Sequence, residues 1–87
     1  MHETGLVRDL IRRIEQAAAA QKAVRVSGVR VWLGALSHLS AAHFREHFEY
    51  ESRGSVAEGA ALSITESDDP ADPDAQHLRL ESLDLEV

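Results

Sequence analysis

Met1-His2-Glu3 opens the chain, and residues of these types in this order can chelate a divalent metal with little help from a fold. The terminal amine, the amide nitrogens of His2 and Glu3 and the His2 imidazole can lie in one plane around an ion, closing five- and six-membered rings without strain. A tetragonal set of nitrogens suits Ni(II) or Cu(II), whereas Zn(II) prefers a tetrahedron. The bulk of His2 is expected to block removal of the initiator methionine and so to preserve the Met1 amine. The competing expectation for these residues is a frayed, solvated terminus.

Other residues that could do chemistry are fewer. His43 and His47 stand four apart in a helical stretch, a spacing that points both imidazoles the same way and allows them to share a metal. The alternative is two partly exposed helix histidines beside the apolar stripe of Phe44 and Phe48. His38 follows Ser37 in a loop and reaches the N-terminus only if the fold brings it there, and His77 is expected to begin a strand. Asp68, Asp69, Asp72 and Asp74, with Pro70 and Pro73, form an acidic loop. Counted from Asp68, it lacks the glycine at position six and the glutamate at position twelve of an EF-hand. No serine-centred turn flanked by glycine suggests an activated nucleophile, and no glycine-rich loop suggests phosphate binding. An enzyme is not expected.

The chain that must position these groups is short. Its 87 residues fit one small domain with a modest core. There is no cysteine, which excludes disulfides, thiolate zinc sites and thiol catalysis. A net charge of −6 argues against nucleic acid or an anionic membrane surface as partner. No leader or long apolar run is apparent, so cytoplasmic residence is the expectation.

Val7, Leu10, Ile11, Ile14 and Ala18 recur at helical steps and predict a helix over about residues 4–21, with Thr4 as its N-cap. Residues 24–33 read as a strand in which Val29, Val31 and Leu33 alternate with Arg30 and Trp32. Val24 and Val26 are out of phase with them, so a bulge is expected at Ser27-Gly28. Ala41, Phe44 and Phe48 define a second helix from Ser40 or Ala41 to about Ser52, stopped by Gly54. A short strand over 61–65 with Leu62 and Ile64 inward follows, then the acidic loop 67–75, then a last strand over 77–87. In that strand Leu78 and Leu80 change phase to Leu83 and Leu85, which predicts a second bulge near Glu81-Ser82. The order helix-strand-helix-strand-strand gives an α/β (α+β) fold, a three-stranded mixed sheet with two helices on one face. The shortness of the acidic connection suggests an antiparallel hairpin of the last two strands. Arg30, Trp32, Arg79 and Glu81 are then candidates for the face that carries no helix. Trp32, flanked by Arg30, could anchor a partner or a second copy of the chain there, unless other residues cover it.

Taken in order, Met1-His2-Glu3, the segment from Arg25 through Val31-Trp32-Leu33-Gly34-Ala35-Leu36-Ser37, the segment Gly54-Ser55-Val56-Ala57-Glu58-Gly59-Ala60-Ala61-Leu62-Ser63-Ile64, and the closing Leu78 to Val87 resemble the hydrogenase-maturation nickel metallochaperones of the HypA/HybF family. The resemblance implies nickel at Met1, His2 and Glu3, and its delivery to a [NiFe]-hydrogenase large subunit in company with a nickel-insertion GTPase. It also exposes a departure. The family carries a zinc lobe on two Cys-x-x-Cys pairs between the last two strands, where this chain has the acidic loop, so no structural zinc is expected. An alternative function is a metal-free docking or assembly module for a hydrogenase subunit or maturation factor.

Overall fold

The computed structural model describes residues 3–87. Helix α1 spans Glu3–Ala20, strand β1 Arg25–Leu33, helix α2 Ala41–Glu51, strand β2 Ala61–Glu66 and strand β3 Leu78–Glu86. Elements and order are those expected from the periodicity. Thr4 is not the N-cap of α1, however, because Glu3 already lies within the helix, where a carboxylate complements the positive end of the helix dipole. Helix α2 does have its expected cap: Ser40 is extended (φ −94°, ψ 147°) and its side chain accepts a hydrogen bond from the His43 amide. That bond satisfies one of the amide groups a helix start leaves unpaired.

Both helices press on one face of the sheet. Val7, Leu10, Ile11, Ile14 and Ala18 of α1 and Phe44 and Phe48 of α2 share a core with Val26, Val29, Val31 and Leu33 of β1 and Leu62 of β2. The two phenyl rings stack with centroids 6.2 Å apart. Each fully buried side chain of this size contributes about 1.5–3 kcal/mol through the water it sheds. Leu78, Leu80, Leu83 and Leu85 are only partly buried against this core, which places β3 at its margin.

The strand order is β2-β1-β3, and here the structure corrects the expected hairpin. Strand β1 is central; it pairs parallel with β2 and antiparallel with β3. The physical reason is α2, a helical crossover between β1 and β2, which is the connection that parallel neighbours require. The acidic segment therefore links the two edges of the sheet and passes the end of β1. It is fastened there at both ends: Ser67 N–H donates to Leu33 O at 2.9 Å, Gly34 N–H to His77 O at 2.9 Å, and Leu36 N–H to Ala75 O at 2.7 Å. Eleven residues, 67–77, easily cover the roughly 10 Å across two strand spacings.

Both bulges fall where the phase of the sequence changes. Register shifts between β1 and β3 occur between Val26 and Gly28 and between Arg30 and Val31. Ser27 and Glu81 are thus the residues left without a partner, and each re-aims its strand so that apolar side chains on both sides of it reach the core.

Candidate metal centre

Met1 and His2, which carry most of the expected chelate, lie outside the described residues. Glu3, its third member, is half-buried at the start of α1, and its Oε1 is buried without a hydrogen-bond partner among the described residues. Glu3 is the first helical residue among the described residues, and amide nitrogens in the first turn of a helix are not used by the helix itself.

Helix α2 lies alongside this end of α1, and the contacts form two rungs. Thr4 Oγ1 and His47 Nδ1 are 3.5 Å apart. One turn further along both helices, Arg8 Nε donates to Glu51 Oε2 at 2.9 Å. Each rung joins residues 43 apart in sequence, so the two helices run in the same direction. The hydrogen bond to Glu51, together with that residue's negative charge, raises the Arg8 pKa above its ordinary value. Beside the rungs, Thr4, Glu46, His47, Tyr50 and Glu51 line a cleft of about 280 Å³. Imidazole, carboxylate and phenol donors thus stand next to the residue that follows the expected chelate. Among the described residues no three His, Asp or Glu side chains converge into a metal-binding group.

The remaining histidines are dispersed. His43 is exposed and His47 half-buried. His38 adopts φ +62°, a left-handed conformation uncommon outside glycine. With Leu6, Leu36, Ser37, Gln76 and His77 it lines a separate cleft of about 670 Å³. His77 stands immediately before β3, its amide bonded to Asp74 O.

On the sheet face away from the helices, Arg30 and Trp32 are engaged by neighbours. Arg30 donates to both carboxylate oxygens of Asp84, at 3.2 and 2.7 Å, and to Ser82 at 3.1 Å. The bonds to Asp84 hold the Arg30 pKa above its ordinary value. Gly28 makes room for that pair, since a Cβ there would meet the Asp84 side chain. Trp32 is only 8% exposed. The Arg79 guanidinium stands 3.9 Å from the indole centroid, and Asp74 of the acidic segment holds Arg79 at 3.1 Å. The expected bare tryptophan is therefore capped; what this face presents to solvent at that point is the Arg79–Asp74 pair.

Known structures share this fold. The family described as HypA, hydrogenase/urease nickel incorporation, metallochaperone, matches residues 1–72, and the chain belongs to that family. The match includes Met1-His2-Glu3. The hydrogenase maturation factor HypA of Azotobacter chroococcum mcd 1 is 39% identical over 66 residues, 76% of this chain and 58% of that protein. The factor of the same name from Escherichia coli (strain K12) is 40% identical over 68 residues, 78% of this chain and 59% of that protein. This chain spans less than two thirds of the length of either relative. The solution structure of the Ni metallochaperone HypA from Helicobacter pylori superimposes with a TM-score of 0.84 at 23% identity, covering 99% of this chain and 98% of that one. A further solution structure, of HypA protein, gives 0.76 at 24% identity over 98% and 96%. These two likenesses establish the shared fold.

Proposed function

We propose that this chain binds Ni(II) through Met1, His2 and Glu3 and delivers it to the large subunit of a [NiFe]-hydrogenase during maturation, working with a nickel-insertion GTPase. The observation that carries this reading is the family match, which begins at residue 1 and so takes in the chelating triplet. In the proposed site, Met1 supplies its amine, His2 its amide nitrogen and imidazole, and Glu3 its amide nitrogen.

Electrostatics favour this ligand set. A bare dication would be repelled by the positive end of α1. Two deprotonated amides cancel the charge of the ion, so the complex sits at the helix end without net repulsion, and the Glu3 carboxylate is left to orient it. Ligands drawn from three consecutive residues at a chain end can also be exchanged one at a time, which suits a carrier better than a store.

Extension of the N-terminus by a few residues tests the site against the docking function. The extension removes the free amine while leaving the core and sheet untouched. Nickel binding is expected to be lost, and with it nickel loading of a hydrogenase large subunit in a reconstituted transfer assay. Full nickel loading by the extended protein would sink the proposal.

A further inference from the structure

We propose that two copies of this chain pair edge to edge through β3, antiparallel about a two-fold axis, and so join their three-stranded sheets into one continuous sheet. The pairing uses no residue of the proposed nickel site and is independent of that reading.

Strand β3 is an edge of the sheet, and among the described residues β1 is its only strand partner. A free edge carries unpaired N–H and C=O groups that can template another strand. The other edge, β2, is six residues long, and Arg45 of α2 already occupies its Leu62 carbonyl at 3.0 Å. Strand β3 has nine residues and no proline or lysine. At its two ends the carbonyls of His77 and Glu86 point to the β1 side, where they accept from Gly34 N–H and Val24 N–H. Successive residues of an antiparallel strand alternate sides. Counted forward from His77, Leu78 and Leu80 therefore turn their N–H and C=O groups to the free edge; counted back from Glu86, so do Leu85 and Leu83. The two counts meet at the bulge, the register shift opposite Arg30 and Val31. The bulge thus puts the backbone groups of all four leucines on the open side.

What fits this edge is the same strand from a second copy. Leu78-Arg79-Leu80-Glu81 and Ser82-Leu83-Asp84-Leu85 are complementary halves when one is read backwards. Antiparallel pairing about their midpoint sets Leu78 against Leu85 and Leu80 against Leu83. Each such pair exchanges two hydrogen bonds and brings together leucines that one copy leaves only partly buried. The same register sets Arg79 against Asp84, with Cα atoms about 4.5 Å apart, Glu81 against Ser82 and Glu86 against His77. No two acids meet, whereas a slip of two residues sets Glu81 against Asp84. Arg79 gives one N–H to Asp74 and its side chain is 43% exposed, so donors remain for Asp84 of the second copy. That carboxylate, although bound by Arg30, is 53% exposed. Two-fold symmetry makes every one of these pairs twice.

The test is analytical ultracentrifugation of the full chain across a concentration series. Wild type is run beside Arg79→Asp, Asp84→Arg and an equimolar mixture of the two variants, with circular dichroism to confirm that each is folded. The wild type should dimerise. Either reversal alone places like charges opposite each other at both symmetry-related pairs and should weaken the dimer at least about tenfold. In the mixture every cross pair is again of opposite charge, so the dimer should return. Amide hydrogen exchange of the wild type reads the same interface without any substitution: the amides of Leu78, Leu80, Leu83 and Leu85 should become protected as concentration rises. A wild type that stays monomeric at its highest soluble concentration overturns the proposal. So does a dimer that both reversals leave intact, or a mixture of folded variants that stays monomeric. If a variant fails to fold, the exchange measurement decides alone, and leucine amides that exchange as fast in the dimer as in the monomer overturn the pairing.

Discussion

Replacing Gly34 by alanine tests how tightly the acidic segment is wedged against the end of β1. The backbone at Gly34 is not left-handed, so the substitution brings no conformational strain of its own, only a methyl group. A Cβ there would sit 2.5 Å from the Ala75 carbonyl carbon and 2.7 Å from Asp74 O. Both are backbone atoms and cannot rotate away. To admit the methyl, the segment must lift, and two of its hydrogen bonds lie within two residues of the clash: Gly34 N–H to His77 O and Leu36 N–H to Ala75 O. Overpacking of this kind costs about 1–3 kcal/mol and the two hydrogen bonds about 1 kcal/mol each. The expected loss is thus about 3–5 kcal/mol. A chain of this length has roughly 4–13 kcal/mol to lose. In a calorimetric scan the melting temperature should fall by at least about 12 °C. Gly54→Ala provides the contrast: its φ is +79° but nothing lies within 4 Å of a Cβ, so only the left-handed penalty of about 1–2 kcal/mol applies. A Gly34→Ala loss below about 1 kcal/mol, or one no larger than that of Gly54→Ala, would refute the wedge.

Further outcomes follow from the same packing. Phe44→Ala removes a ring with no exposed surface and its stacking on Phe48, and should cost about 3–5 kcal/mol in urea denaturation. Ser40→Ala removes the side chain that accepts from His43 N–H and should cost about 1 kcal/mol, with reduced helix content near the transition. Arg79→Ala uncovers the single tryptophan of the chain. Its fluorescence should shift to the red and become more accessible to acrylamide, at a stability loss of about 0.5–1 kcal/mol; an unchanged spectrum would mean that Arg79 is not what shields Trp32.

The local features of the fold were legible because local periodicity writes them. Val7, Leu10, Ile11, Ile14 and Ala18 announce one face of α1, and all five are buried. The phase changes around Ser27-Gly28 and Glu81-Ser82 announce two bulges, because a strand can turn its apolar side chains back toward a core only by gaining a residue. Strand partnership was not legible. A short connection between β2 and β3 suggested a hairpin, but pairing is decided by where α2 leaves the chain, and α2 carries it across the sheet to the far side of β1. The capping of Trp32 was hidden for the same reason, since Asp74 lies in a segment whose path depends on that topology.

At the site, the triplet Met1-His2-Glu3 is visible in the sequence, and the family match includes it. The neighbourhood of His47 was not. Its four-residue spacing from His43 allowed a shared metal or two partly exposed helix histidines; the structure leaves His43 exposed and turns half-buried His47 toward Thr4, 43 residues away. No local pattern encodes such a contact. It arises from two helices packing side by side, with Arg8 and Glu51 as the rung that fixes their register.

The central claim is that the terminus binds nickel. Its most direct measurement is the Ni(II) affinity of untagged protein with a free Met1 amine, compared with His2→Ala under identical conditions. One equivalent bound at micromolar affinity or tighter, lost on the substitution, is the result expected. Absence of binding, or binding that His2→Ala leaves unchanged, would contradict it.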